Sequence, residues 1–157
     1  MIFTKLMGGL GNQMFQYACA KAIAQKNETE CFVDKSFLED KNSGVTVFRD
    51  FELYLFPNIE ANIYSGGNVG VIPVTESFYH CDERLRDATL TDDQNLYLTG
   101  YWQTYKYFES IESELKHEFS FPNITEEKTE SLRQKILSEN SVMINVTDRD
   151  WETKFVF

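Results

Sequence analysis

The sequence predicts an α/β fold in which short parallel strands alternate with helices. A short apolar segment at residues 2–7 runs directly into three glycines within four residues, and apolar residues then recur at helical spacing. Residues 30–34 form a second short segment with an apolar centre, which completes a strand–helix–strand unit. Units of this kind place a parallel sheet at the centre of a domain, with the glycine turn at the carboxyl end of the first strand.

The first helix is expected to run from Asn12 to about Lys26. Asn12 suits the N-cap position, because its side chain can accept a hydrogen bond from a backbone N–H of the first helical turn. The residues expected on the apolar face of this helix are Met14, Phe15, Ala18, Ala22 and Ile23.

Residues 35–94 show less regular spacing than the segments on either side. Turn-forming clusters occur at residues 41–44 and 65–68, and between them residues 45–51 suit an extended segment and residues 51–56 a short helical turn. We therefore expect loops and small helices in this region, covering one side of a cleft.

Regular spacing returns after residue 94. Four further elements are expected: a strand at 95–100, a helix at 104–119, a polar helix at 126–139 and a last strand at 141–146. Pro122 separates the two helices, because proline cannot continue a helix. The apolar stripe expected on the polar helix consists of Leu132, Ile136 and Leu137.

The composition is that of an ordinary globular protein. The chain has 157 residues, of which 42% are hydrophobic and 25% are charged, and this length suits one domain with a real core. The net charge of −10 and the absence of any Lys/Arg cluster argue against nucleic acid as a partner. Most of the 13 Phe and 8 Tyr residues are expected in the core.

Neither a metal site nor a membrane span is predicted. Cys19, Cys31 and Cys81 are widely spaced, and they do not form a metal-ligand pattern with His80 and His117. The sequence shows no basic leader followed by an apolar stretch, and no apolar run long enough to span a bilayer. We therefore expect a cytoplasmic protein.

The glycine turn is the first candidate binding site, because glycine allows a close approach of backbone to ligand and a helix N-terminus suits an anion. Gly9 and Gly11 match the first two positions of a dinucleotide fingerprint, but Met14 occupies the third. Asp34 stands near the distance expected for a ribose-binding carboxylate, so a dinucleotide enzyme is one alternative. The other alternative is that the glycine turn serves only the geometry of the fold and binds no ligand.

Polar side chains beside the two expected turns add to this candidate site. Asn12 and Gln13 could hold a sugar hydroxyl or a phosphate oxygen without adding charge. Trp102 could stack on the apolar face of a sugar ring, and Gln103 could bond the hydroxyls of that ring. The alternative for Trp102 is that it closes the core beside Gly100.

Three longer segments carry more information than the glycines alone. They are GGLGNQMFQYA at residues 8–18, FELYLF at residues 51–56 and YLTGYWQTYKYF at residues 97–108. In content and order they resemble motifs of the α-1,2-fucosyltransferases of glycosyltransferase family 11. The resemblance covers about residues 1–146.

The resemblance implies a Rossmann-like amino-terminal half of a GT-B enzyme, formed by residues 1–146. The implied activity is inverting transfer of fucose from GDP-fucose to a hydroxyl of a galactoside glycan, with no metal or other cofactor. The residues that their chemistry selects as substrate-binding are Gly9, Gly11, Asn12, Gln13, Trp102 and Gln103. In bacterial relatives that build surface polysaccharides, a lipid-linked acceptor would bring the enzyme to the inner face of the membrane. The sequence assigns no catalytic base, and a carbohydrate-binding α/β module without nucleotide is the alternative.

The sequence departs from the family after residue 146. The corresponding strand of the family continues into H-x-R-R-G-D-Y, and its arginines bind the diphosphate of GDP-fucose. Here Asn145 stands at the histidine position, and Thr147 and Asp148 stand at the arginine positions. An aspartate beside a diphosphate replaces attraction by repulsion. We therefore expect residues 147–157 to be an atypical tail, the second, nucleotide-binding domain to be absent, and the chain to be a weakly active or inactive fragment.

Overall fold

The computed structural model describes residues 1–40, 48–77, 80–122 and 127–140. The chain divides into two compact units, Met1–Pro122 and Asn123–Phe157. The first unit contains a five-stranded sheet with helices, so the α/β prediction is confirmed. The strand expected at 141–146 and the tail at 147–157 lie outside the described residues.

The sheet is parallel throughout its described pairs. Its strands are β1 (Ile2–Lys5), β2 (Cys31–Asp34), β3 (Asn62–Ile63), β4 (Ile72–Thr75) and β5 (Leu96–Thr99). Their spatial order is β3-β2-β1-β5-β4, with Ile2 opposite Cys31 on one side and opposite Leu96 on the other. From β1 the chain adds β2 and β3 on one side of the sheet and then adds β4 and β5 on the other side. The strand order therefore reverses between β1 and β5.

The helices of the first unit are α1 (Leu10–Lys26), α2 (Ser36–Glu39), α3 (Glu83–Arg86) and α4 (Glu112–Glu118), with 3-10 turns at Leu53–Leu55, Tyr105–Tyr107 and Glu109–Ile111. In the second unit α5 spans Glu127–Ser138, and its expected apolar stripe of Leu132, Ile136 and Leu137 is exposed. Within the described ranges, no helix combines the length and the apolar character needed to cross a membrane.

Helix α1 covers one face of the sheet. Every second residue of β1 points to this face, and Ile2 belongs to one buried cluster while Leu6, just after the strand, belongs to a second. Ala20 and Ala24 contribute to the first cluster, and Ala18 contributes to the second. These small side chains let the helix lie close to the strands. The buried surface of α1 is therefore wider than the single apolar stripe of a surface helix.

Helix α4 is held to α1 by a buried carboxylate. Glu118 is 7% exposed, and it accepts a hydrogen bond from the Tyr17 hydroxyl at 3.1 Å and forms an ion pair with Lys21. Lys21 also lies 2.8 Å from the carboxylate of Glu114. The buried charge is therefore paired and hydrogen-bonded, as burial of a carboxylate requires.

The prediction of a continuous helix at 104–119 is wrong, because the structure divides this segment into two 3-10 turns and the short α4. Tyr107 is buried in the cluster that contains Trp102, whereas Ile111 and Leu115 are buried in the other cluster. The chain bends at Phe108, which has a φ of −130° and contacts both clusters. Contacts to two separate parts of the core thus override the helical spacing.

The loops and small helices expected at 35–94 are present in part, but the region also contains β3 and β4, which the sequence did not predict. Both strands lie at the edges of the sheet, and their residues are mostly exposed. Pro73 lies within β4, a position that an edge strand tolerates because one side of its backbone needs no partner. Without a buried face, neither strand has the apolar alternation that marks a strand in a sequence.

The other face of the sheet is built around aromatic rings and one acid. Phe3 stacks on Phe32 with ring centroids 5.2 Å apart. Asp34, at the end of β2, accepts hydrogen bonds from the Tyr97 hydroxyl of β5 and from the backbone N–H of Ser36 at 2.8 Å. This carboxylate therefore connects the two strands that flank β1 and the start of α2. Its oxygens are engaged within the fold, whereas the dinucleotide alternative assigns them to a ribose.

Asp34 should make the fold sensitive to acid. Burial raises the pKa of its carboxyl group, but the hydrogen bonds from Tyr97 and Ser36 outweigh burial and hold the pKa below its usual value of about 3.9. This contribution to stability is complete above about pH 5 and is lost as the pH falls through the folded-state pKa, because the unfolded chain then binds the proton more readily. Urea unfolding between pH 6 and pH 2.5 should show a smaller loss of stability for Asp34→Asn than for the wild type. Equal losses in the two proteins would contradict this role.

Candidate functional site

The carboxyl ends of β1, β4 and β5 meet at one edge of the sheet, where the strand order reverses. Ligands of open parallel sheets bind in the crevice at such a point. A hollow of about 330 Å³ lies here, lined by Met7 after β1, residues 75–77 at the end of β4 and residues 99–101 at the end of β5. We call this space the edge hollow.

Two buried glutamine side chains of α1 fix the glycine turn after β1. The Gln16 amide accepts the Met7 N–H at 2.9 Å and donates to the Met7 carbonyl at 3.2 Å. The Gln13 amide donates to the Gly8 carbonyl at 3.0 Å and to the Asp50 carbonyl at 2.8 Å. Its oxygen accepts the Glu52 N–H at 2.9 Å. The turn is thus held from inside the fold.

These contacts place Gln13 in the fold and away from the surface. Its side chain is fully buried, and both amide protons and one position on the oxygen are already used. Sequence reasoning did not single out Gln16, which lies one helical turn later on the same face. The available signal was a pair of amides spaced three residues apart on a face that otherwise buries apolar groups.

Helix α1 begins at Leu10, two residues earlier than expected, and its N-cap is Gly9 without a capping side chain among the described residues. The assignment of Asn12 as N-cap is therefore wrong, because Asn12 lies within the first helical turn. Gly8 has a φ of +76°, and a Cβ there would lie 2.2 Å from the Asn12 side-chain nitrogen. Gly11 is exposed, and a Cβ on it would meet no described atom within 4 Å.

Asn12 and Gln103 meet across the crevice. The Gln103 side-chain nitrogen donates a hydrogen bond to the Asn12 side-chain oxygen at 2.7 Å, although the two residues are 91 positions apart in the chain. The bond connects the turn after β1 with the turn after β5. The Asn12 side-chain nitrogen and the Gln103 side-chain oxygen make no hydrogen bond to any residue that the structure describes. Two predicted site residues thus converge at this edge of the sheet.

Glu76 holds the turn after β5. Its carboxylate accepts the backbone N–H groups of Tyr101 at 2.7 Å and Trp102 at 3.0 Å. A Cβ on Gly100 would lie 2.4 Å from the Glu76 Cβ, so this close approach requires glycine. Sequence reasoning missed Glu76, because a single acid after an unrecognised edge strand gives no periodic signal.

Trp102 lies in the core. It is 1% exposed and packs edge-to-face on Tyr107, with ring centroids 5.6 Å apart. Its φ of +55° is unusual for a large aromatic residue, and the hydrogen bonds that the Tyr101 and Trp102 N–H groups donate to Glu76 hold the backbone in this conformation. This position corresponds to the alternative in which Trp102 closes the core, and the indole presents no open face for stacking.

One cation lies beside the glycine turn. The Arg49 side-chain Nε is 3.9 Å from the position that a Cβ on Gly9 would occupy, and Arg49 is exposed. Sequence reasoning did not select it, because the contact depends on how residues 48–52 fold back over the turn. Among the described residues, no group of three or more His, Cys, Asp and Glu side chains could hold a metal ion.

Comparisons of the chain with protein-family models, with curated proteins and with solved structures find no match. The relation to the fucosyltransferases therefore rests on the three motifs and stays a prediction.

Gln13→Ala should destabilise the protein by about 3 kcal/mol, because three partly buried backbone hydrogen bonds to one fully buried side chain are lost and each such loss costs about 1 kcal/mol. Asn12→Ala is the matched control on the adjacent, partly exposed position, and it should change the stability by less than about 0.5 kcal/mol. Urea unfolding monitored by circular dichroism measures both values. Equal effects of the two substitutions would show that Gln13 does not hold the turn.

Gly100→Ala should destabilise the protein by about 1–3 kcal/mol, because the added Cβ would collide with Glu76. Gly11→Ala is the control, since it has open space and lies in α1, where alanine stabilises a helix relative to glycine by about 0.5–1 kcal/mol. Thermal unfolding should therefore move in opposite directions for the two variants. A shift in the same direction would contradict the close contact at Gly100.

Proposed function

We propose that this chain binds a galactoside at the carboxyl edge of the sheet and serves the transfer of fucose from GDP-fucose to that galactoside. The observation that carries the proposal is the contact between Asn12 and Gln103, which joins two of the motif segments across the crevice. In this proposal the sheet is that of a Rossmann-like amino-terminal domain in a GT-B enzyme. A cytoplasmic location and a lipid-linked acceptor belong to the same proposal.

The chemistry of the edge hollow suits a neutral sugar. A sugar hydroxyl both donates and accepts hydrogen bonds. Glu76 lines the edge hollow and supplies acceptor oxygens. The Asn12–Gln103 pair is not part of this lining, but it follows β1 and β5 at the same edge of the sheet, and the Asn12 side-chain nitrogen and the Gln103 side-chain oxygen have no partner among the described residues. A carboxylate favours hydroxyl donors and repels phosphate, so we assign the hollow to the galactoside.

The glycine turn suits the diphosphate of the donor. The first turn of α1 carries no acidic residue, its N-cap has no capping side chain among the described residues, and Arg49 lies beside Gly9. Free backbone N–H groups, the helix dipole and a guanidinium all favour an anion. Gly11 is exposed, and a Cβ at this position would meet no described atom within 4 Å, so the packing of the fold does not require glycine here. The glycine would allow a phosphate to approach the backbone.

The test is a titration of the ¹⁵N-labelled chain with methyl β-galactoside, followed by nuclear magnetic resonance, with methyl α-mannoside as the control sugar. The galactoside should shift the backbone resonances of residues 9–13 and 100–103. Asn12→Ala and Gln103→Ala should each weaken binding about 3- to 10-fold, the range for one lost hydrogen bond. Identical responses to both sugars, or shifts confined to other parts of the chain, would overturn the proposal.

A carbohydrate-binding module without transferase activity is the second candidate. It is favoured by the lining of the edge hollow, where the charged group is a carboxylate. Titration with GDP tests the donor site at the glycine turn, which should show shifts at residues 9–11. Galactoside binding without any response to GDP would overturn that donor site, and transfer of labelled fucose from GDP-fucose to lactose would exclude the binding module.

A further inference from the structure

The lining of the edge hollow includes an aromatic residue that the sequence analysis did not select. Tyr101 follows Gly100 at the end of β5, and it is the only aromatic residue among the described residues that line this hollow. Tyr101 is 40% exposed, whereas its neighbour Trp102 is 1% exposed and lies in the core. The aromatic surface that a ligand can reach at this turn therefore belongs to Tyr101.

The backbone that carries Tyr101 is fixed by the fold. Its N–H donates a hydrogen bond to Oε2 of Glu76 at 2.7 Å, and the next N–H, that of Trp102, donates to Oε1 at 3.0 Å. The Trp102 ring packs on Tyr107 and so restrains the same turn through the core. A side chain on a fixed backbone loses less freedom when it binds a ligand than one on a mobile loop.

The side chain of Tyr101 is available to a ligand. Among the described residues, its ring contacts no other aromatic ring and its hydroxyl makes no hydrogen bond. A tyrosine offers a large and rigid contact surface at a low cost in conformational entropy. Tyr101 thus combines an accessible ring with a fixed position.

The remaining side chains of the edge hollow are mostly polar. They include the carboxylate of Glu76 and the hydroxyls of Thr75, Ser77 and Thr99. A sugar ring has a matching two-sided character, because its hydroxyls need polar partners while the C–H groups of one face form an apolar surface. An aromatic ring suits that C–H face, and carboxylate and hydroxyl oxygens suit the sugar hydroxyls.

We propose that Tyr101 is the stacking residue of the edge hollow, so that the C–H face of the galactoside lies on its ring while Glu76 accepts hydrogen bonds from the sugar hydroxyls. This inference rests on the proposed function, because it requires the edge hollow to hold the sugar. It assigns the aromatic contact to Tyr101 in place of Trp102, whose ring is buried.

Substitutions of Tyr101 test this inference without removing the support of the turn, because the hydrogen bond to Glu76 comes from the backbone N–H. Tyr101→Ala should weaken the binding of methyl β-galactoside about 5-fold or more, and Tyr101→Phe, which keeps the ring, should stay within about 2-fold of the wild type. Tyr105→Ala is the matched control and should leave the affinity unchanged, because Tyr105 is 60% exposed and lies outside the lining of the edge hollow.

The proton spectrum of the sugar provides a second measurement, which the wild-type chain alone can give. Protons that lie over an aromatic ring shift upfield through the ring current. The C–H protons of one face of methyl β-galactoside should therefore shift upfield on binding to the wild type and to Tyr101→Phe. Binding to Tyr101→Ala should not produce this shift.

The outcomes separate the inference from the proposed function. Backbone shifts at residues 9–13 and 100–103 without an upfield shift of the sugar protons, or an equal loss of affinity in Tyr101→Ala and Tyr105→Ala, would overturn the stacking role and leave the galactoside site standing. Absence of any response of the folded wild-type chain to the galactoside would overturn both. The sugar spectrum of the wild type decides between these outcomes even where a variant does not fold.

Discussion

The structure depends on the way in which polar side chains satisfy the backbone of the turns that leave the sheet. The turn after β1 must leave the sheet and enter α1 within a few residues, which leaves backbone groups without partners. Gln16 bonds both the N–H and the carbonyl of Met7, and Gln13 bonds the Gly8 carbonyl and the segment at Asp50 and Glu52. If these amides were absent, the turn would have to expose its backbone to water and α1 would lose its position over the sheet.

The turn after β5 follows the same physical principle with a different side chain. There the Glu76 carboxylate accepts two backbone N–H groups, and glycine at position 100 permits the close approach. Both turns are therefore held by side chains other than Asn12 and Gln103, which face each other. This division of roles gives a preorganised crevice, because Asn12 and Gln103 are not the residues that hold the two turns.

The arrangement also revises the chemical meaning of the glycine-rich motif. The motif contains both structural residues and candidate contact residues within one helical turn. Gly8 and Gln13 serve the geometry of the turn, whereas Gly11 and Asn12 are accessible at its surface. Trp102 likewise belongs to the core by its packing, and its buried indole N–H makes no hydrogen bond to any described residue. Part of a motif that resembles a binding site thus serves to stabilise the fold.

The sequence by itself determined the elements that have a buried face. β1, α1, β2 and β5 show apolar spacing, and the structure places each within a few residues of its expected position. The candidate site was predicted in part, since Asn12 and Gln103 were selected and do meet. Only the tertiary structure decided the edge strands β3 and β4, the bend at Phe108, and the roles of Gln16 and Glu76. Edge strands lack a buried face, and a hydrogen bond between residues 91 positions apart depends on how the whole sheet orders its strands. Local periodicity reports burial along one element, whereas these features depend on contacts between elements.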